Sequence, residues 1–141
     1  APLEAYYSRY FSDRSKVIAY RDQYQTQFTQ RQNTIAEDDK QLTNIKAAID
    51  AQQASIDVRL AQISADRTRI NSYLRNNQTA EYNAAVPGFN VEIDGYNVAV
   101  QSLRSKIESY NQLVAARNLV ADQLSILDKA LDTRTTTTVP Q

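Results

Sequence analysis

The chain contains neither histidine nor cysteine, which limits the chemistry that its side chains can perform. Histidine is the commonest general base, cysteine supplies the thiol nucleophile, and together they provide most zinc ligands. Carboxylates remain, and they are densest at Glu37-Asp38-Asp39. Such oxygen ligands can hold calcium, but an acidic run is far more often a solvated helix face or an acidic first turn. We therefore expect no catalytic residue, no cofactor site and no metal site, and we do not expect an enzyme.

Basic and aromatic residues alternate near the start of the chain, as in Tyr7, Arg9, Tyr10 and Arg14. This interleaving can stack on nucleic-acid bases or lie at a membrane surface. However, 16 basic residues are balanced by 16 acidic ones, so no surplus of positive charge attracts nucleic acid or anionic lipid. The apolar runs are also far shorter than the ~20 residues that span a bilayer. The alternation therefore favours helix–helix association, without nucleic acid and without a transmembrane segment.

Long helices are expected to position these side chains, because the chain has few turn residues. Neither glycine nor proline occurs between Glu4 and Val86, which predicts one helix over about 3–77. Asn76 and Asn77 suit a helix C-cap, and Pro87 is tolerated in a first helical turn, which predicts a second helix over about 87–133. Two helices joined by a short corner fold back on each other. The predicted fold class is therefore all-α, a long antiparallel helical hairpin or coiled coil.

A seven-residue apolar repeat supports the hairpin. Seven apolar residues recur every seven positions from Phe28 to Ile70, and the same register extends back to Leu3. From Tyr82 onward, apolar residues alternate at spacings of four and three, which is typical of helices packed along a partner. We call these positions the seam and expect copies of the chain to associate along it: Tyr7, Tyr10, Val17, Tyr24, Phe28, Ile35, Leu42, Ile49, Ile56, Ile63, Ile70, Tyr82, Phe89, Ile93, Tyr96, Val100, Leu103, Ile107 and Tyr110.

A three-helix bundle is the alternative fold. Thr34 and Glu37 match a capping box, which would start a new helix after a break near 33–34. The heptad register passes through Thr34 undisturbed, and this favours the hairpin. In either case residues 1–133 are expected to form one elongated helical domain. Residues 134–141 are threonine-rich and are expected to form an extended tail, since β-branched residues disfavour helix.

The seven aromatic residues of the first 28 positions would project beyond the shorter second helix and form an uncovered stripe: Tyr6, Tyr7, Tyr10, Phe11, Tyr20, Tyr24 and Phe28. A large exposed apolar stripe marks an interaction surface, and a two-helix hairpin buries too little surface to be stable alone. These features predict a non-enzymatic structural subunit that self-associates into a homo-oligomer or filament. The alternative is a coiled-coil adaptor that engages another protein through its aromatic N-terminal helix.

The first residues bear on location. The chain has no methionine and begins Ala1-Pro2, as a signal peptide cleaved after a small residue would leave it. Trimming of a longer chain would leave the same end. The prediction is a secreted or cell-surface protein, with a cytoplasmic location left open.

Overall fold

A computed structural model describes the backbone of residues 2–137 and the side chains of residues 2–130. The described residues form two helices, α1 over Pro2–Arg75 and α2 over Thr79–Thr137, and no strand. The predicted all-α helical hairpin is confirmed.

The first helix begins and ends where its terminal residues favour it. Pro2 has no N–H to leave unsatisfied in the first turn, and Glu4 places a negative charge near the positive end of the helix dipole. Arg75 places a positive charge in the last turn. Thr34 lies inside the helix, where its hydroxyl donates to the Gln30 carbonyl at 3.0 Å. This hydrogen bond is typical of a helix interior rather than of an N-cap, and α1 is continuous through residues 33–34.

The corner between the helices is a Schellman motif. Asn77 has a φ of 57°, the left-handed conformation that asparagine tolerates. The Gln78 N–H donates to the Tyr73 carbonyl at 2.9 Å, and the Asn77 N–H donates to the Leu74 carbonyl at 3.3 Å. These two bonds satisfy carbonyls that the helix end leaves without partners. The C-cap expected at these asparagines is therefore present.

The second helix starts earlier than Pro87, where we expected it to start. The Tyr82 N–H already donates to the Gln78 carbonyl at 3.0 Å, so the helix follows the corner directly. Glu81 lies in its first turn, where its charge favours the N-terminus. Pro87 lies about two turns inside α2 and therefore removes one hydrogen bond from the helix interior. The helix nevertheless runs through Pro87, so the expectation that proline marks its start was wrong.

The end of α2 also differs from the expectation. The helix continues to Thr137 rather than ending near residue 133, so threonines that we expected to be extended have helical backbone. Side chains from residue 131 onward, and residues 138–141 entirely, lie outside the described part of the chain.

The chain divides into two compact units. Gln41–Leu113 form one, which we call the corner unit; the residues up to Lys40, together with those from Val114 onward, form the other, which we call the terminal unit. Each contains a stretch of both helices. In the corner unit the Gln52 amide reaches the Ala99 carbonyl, and in the terminal unit Arg117 reaches Asp39. In each unit, then, the two helices pack side by side.

The buried residues of the described chain lie in the corner unit. Its apolar core consists of Ile56, Ile63, Ile70 and Leu103, of which the three isoleucines are consecutive seam positions of α1. Among the described side chains of the terminal unit, none is buried. The same heptad repeat is thus enclosed in one unit and only partly covered in the other.

Candidate functional site

Among the described residues, exposed large apolar side chains are most concentrated at the start of α1. Every described residue from position 2 to position 23 is exposed. Eight of them are large and apolar, with 40% to 68% of their surface accessible: Leu3, Tyr6, Tyr7, Tyr10, Phe11, Val17, Ile18 and Tyr20. We call residues 3–20 the aromatic segment. The uncovered stripe predicted from the sequence is therefore present over this range, whereas Tyr24 and Phe28 are half-buried.

Neighbouring rings of the aromatic segment contact one another. The ring centroids of Tyr6 and Tyr7 lie 5.7 Å apart at an interplanar angle of 75°, an edge-to-face arrangement. Tyr10 and Phe11 repeat it at 5.6 Å and 73°. Such contacts are worth only about 1 kcal/mol, far less than enclosing the rings would contribute. The rings therefore shield each other in part and remain largely in contact with water.

A groove adjoins the aromatic segment within the terminal unit. It has a volume of about 290 Å³ and mainly apolar walls. Both helices contribute to its lining: Arg21, Tyr24, Gln25, Phe28, Leu127 and Asp128. A cavity of this size lies at the small end of the range that binds organic groups. Its one basic and one acidic side chain would orient a charged occupant.

The rest of the seam is covered within the chain to different degrees. Tyr7, Tyr10 and Val17 are exposed, and so is Ile107 on α2. Apart from the four buried core residues, the other seam positions are half-buried: Tyr24, Phe28, Ile35, Leu42, Ile49, Tyr82, Phe89, Ile93, Tyr96, Val100 and Tyr110. Association of copies along the whole seam stays a prediction. The positions that the chain itself leaves exposed are mainly those of the aromatic segment.

Polar residues on and beside the seam of α1 contact α2 in the corner unit. The Gln52 side-chain amide donates to the Ala99 carbonyl at 3.0 Å. The Arg67 guanidinium lies 6.0 Å from the centre of the Phe89 ring, a cation–π contact. These partners belong to the same chain. The Gln52 side-chain oxygen, however, is buried without a hydrogen-bond partner, so the hairpin satisfies this seam position only in part.

A pair of carboxyl groups, Asp66 and Glu92, joins the two helices of the corner unit. Asp66 is only 9% exposed. Its carboxylate accepts a hydrogen bond from the Gln62 amide at 3.3 Å and forms an ion pair with Arg69 at 3.3 Å. A hydrogen bond between the two carboxyl groups lowers the pKa of Asp66 and raises the pKa of Glu92. Burial raises the pKa of Glu92 further. Glu92 therefore takes up a proton more readily than Asp66 does.

The acidic run at residues 37–39 has a structural partner. The Arg117 guanidinium donates to both carboxylate oxygens of Asp39, at 2.8 and 3.4 Å. This contact raises the pKa of Arg117. Across the part of the chain that the structure describes, no three or more acidic side chains come together as metal ligands would. The run therefore links the helices of the terminal unit.

The fold and this surface define the class of the protein, an α-helical hairpin with an exposed aromatic helix end. Within the described residues, neither helix has the apolar length that a bilayer crossing requires. The chain matches no protein-family model, no curated protein and no solved structure in comparisons with each.

Sequence reasoning missed two features of this molecule. The first is the Asp66–Glu92 pair, because the face that α2 presents depends on where that helix starts. Counting outward from Asn77 along both helices would have placed the two carboxyl groups within about one helical turn of each other. The second is Ile18, which lies outside the strict heptad positions but is 43% exposed within the aromatic segment.

Proposed function

We propose that this protein is a non-enzymatic structural subunit that self-associates through the aromatic segment of α1. One observation carries the proposal: the five aromatic and three aliphatic side chains of this segment are 40% to 68% exposed. From typical side-chain areas, they present about 800 Å² of apolar surface. The largest apolar patch of an ordinary monomer is about 300–600 Å². An area of about 800 Å² per partner is also what a standard protein interface buries.

The charge of the segment supports a partner of similar composition. Its basic residues, Arg9, Arg14 and Lys16, are interleaved with the acidic Glu4 and Asp13. A strongly charged partner gains little from such a mixed surface, whereas a second mixed surface can match it pair by pair. Self-association is therefore a better fit than binding to nucleic acid or to an anionic membrane. The assembly that we propose is a homo-oligomer, which further contacts along the seam would extend into a filament outside the cell.

The proposal is tested by measuring molar mass as a function of concentration, with light scattering after size-exclusion chromatography. We expect the mass to rise above that of one chain as the concentration increases. Replacing Tyr7 and Phe11 together by serine is expected to raise the dissociation constant on the order of 100-fold, because buried aromatic residues dominate interface energies.

A matched control replaces two apolar residues that are similarly exposed on the corner unit. Val91 and Val98 are 70% and 69% exposed, and they lie on α2. Their double replacement by serine is expected to change the dissociation constant by less than about threefold, since single exposed apolar residues are common on monomers. A mass that stays at one chain at all concentrations would contradict self-association. If that monomer bound a different protein through Tyr7 and Phe11, the chain would be an adaptor.

A further inference from the structure

We propose that two copies of the chain pair antiparallel through α1, about a twofold axis at Val17, so that the aromatic segment of each copy lies in the groove of the other. This inference rests on the proposed self-association. It adds the identity of the occupant, the orientation of the two helices and their register. The site that results is composite, because neither copy contains both the groove and its occupant.

The register follows from the positions of the exposed residues. Two antiparallel helices have the same rise per residue, so positions equally far before and after Val17 lie opposite each other. Tyr10 of one copy then faces Tyr24 of the other. The paired stretch includes all eight exposed apolar residues of the aromatic segment. An axis near the middle of the aromatic segment, at about residue 11, would also include all eight, but it would place Tyr10 opposite Ser12 rather than opposite Tyr24, which lines the groove.

The charges of the segment agree with this register. Asp13 of one copy lies opposite Arg21 of the other, and the twofold axis makes this contact occur twice. Arg14 lies opposite Tyr20, whose ring face can accept a cation. A parallel pair would instead place Arg14 against Arg14 and Asp13 against Asp13, and like charges that face each other are destabilising. Charge matching therefore favours the antiparallel pair.

The groove has the lining that this occupant needs. Its apolar walls include Phe28 and Leu127, and the opposing stretch of the second copy brings Tyr6 and Tyr10. The groove has two charged residues, Arg21 and Asp128. In the proposed register, Asp13 of the second copy faces Arg21. Arg9 of the second copy faces Gln25, which lines the same groove as Asp128. The volume of about 290 Å³ can hold one or two aromatic rings of the opposing helix, whose backbone would lie over the groove.

Cysteine cross-linking tests the register, because the chain has no cysteine of its own. Val17→Cys places two thiols at the twofold axis and is expected to form a disulfide-linked dimer under mild oxidation. Leu3→Cys and Tyr10→Cys are the controls. In this register each of these cysteines lies far from the equivalent cysteine of the second copy. Both variants are therefore expected to cross-link at least about tenfold more slowly, since a disulfide needs Cα atoms within about 7 Å.

The outcomes separate this inference from the proposed function. Fast cross-linking of all three variants would show that the two helices are parallel. Fast cross-linking of Tyr10→Cys alone would show that the twofold axis lies near Tyr10 rather than at Val17. Either result would overturn the proposed register. A dimer in which Val17→Cys does not cross-link would overturn this inference and leave self-association standing. A native chain that stays monomeric at all concentrations would overturn both.

A charge exchange gives an independent test. Asp13→Arg and Arg21→Asp, each made alone, place like charges opposite each other twice and are expected to raise the dissociation constant about fivefold or more. The double variant restores opposite charges in the reverse order and is expected to return to within about twofold of the native value. A double variant weaker than both single variants would overturn the register.

Discussion

The corner unit and the terminal unit use the same heptad repeat in different ways. In the corner unit α2 encloses the α1 seam, and Ile56, Ile63 and Ile70 are only 5% to 7% exposed. In the terminal unit the equivalent Phe28 and Ile35 are half-buried, and Tyr7, which precedes them in the register, is 52% exposed. The repeat thus predicts which side chains need cover but not what covers them. In one unit the chain provides that cover, and in the other we propose that a second copy does.

The two units also differ in the residues that interrupt the repeat. The seam of the corner unit contains amides and charges that pair across the hairpin, such as Gln52 with Ala99 and Asp66 with Glu92. Buried polar partners disfavour alternative registers, because a shifted helix would leave them unsatisfied. The aromatic segment has rings in place of such pairs. Rings tolerate several packing arrangements, and this property suits a surface that must form contacts after the chain has folded.

The largest expected difference between the units concerns the cost of losing a seam side chain. Ile63→Ala is expected to lower the free energy of unfolding by about 2–4 kcal/mol, because it opens a cavity in an enclosed site. Ile35→Ala is the matched change at the same heptad position of the terminal unit. It is expected to cost about half as much or less in the monomer, because Ile35 is only half-buried.

Urea denaturation followed by circular dichroism, at concentrations where the sample is monomeric, measures both changes. Val58→Ala is the control, since Val58 is 70% exposed on the same helix and is expected to change stability by less than about 0.5 kcal/mol. Equal losses for Ile63→Ala and Ile35→Ala would contradict the distinction between the two units.

A second expected difference is the response of the corner unit to pH. The pKa of Glu92 is raised in the folded chain, so its contribution to stability is complete below the ordinary glutamate pKa and is lost as pH rises through the raised value. The pKa of Asp66 is lowered, so its contribution is lost as pH falls through the lowered value. The pair therefore stabilises the fold most at acidic pH between these two values, where it holds one proton.

Glu92→Gln tests this dependence. The glutamine amide donates to Asp66 at every pH, so the decline in melting temperature between acidic and neutral pH is expected to shrink to within a few degrees. Glu108→Gln, on an exposed position of the same helix, is expected to retain the native decline. Thermal melts at a series of pH values measure both. If Glu92→Gln were less stable than the native chain at neutral pH, an ionised Glu92 would be stabilising, which contradicts a raised pKa of Glu92 in the folded chain.

Much of this fold could be predicted from the sequence because its signals are local or periodic. The run without glycine or proline predicted α1, and Asn77 predicted the corner. The start of α2 could not be found in the same way, because Pro87 suggested a first turn and the hydrogen bonds of the corner override that preference. Once the start moves, the face that α2 presents changes. For this reason the position of Glu92 opposite Asp66 was missed, and at the end of the predicted seam Lys106 is half-buried where Ile107 was expected.

The smallest expected effects concern the two glycines, both of which lie inside α2 in the corner unit. A Cβ added at Gly88 would meet nothing within 4 Å, so Gly88→Ala is expected to stabilise the chain by about 0.5–1 kcal/mol through helix propensity alone. A Cβ at Gly95 would lie 3.1 Å from Nη1 of Arg59, a contact that the flexible side chain must relieve by moving. Gly95→Ala is therefore expected to raise the free energy of unfolding by less than Gly88→Ala does. In a chain that also carries Arg59→Ala, the contact is gone, and Gly95→Ala is expected to stabilise as much as Gly88→Ala. A loss of stability on Gly88→Ala would show that this open position of the corner unit is occupied in solution, and cover by a second copy would then extend beyond the terminal unit.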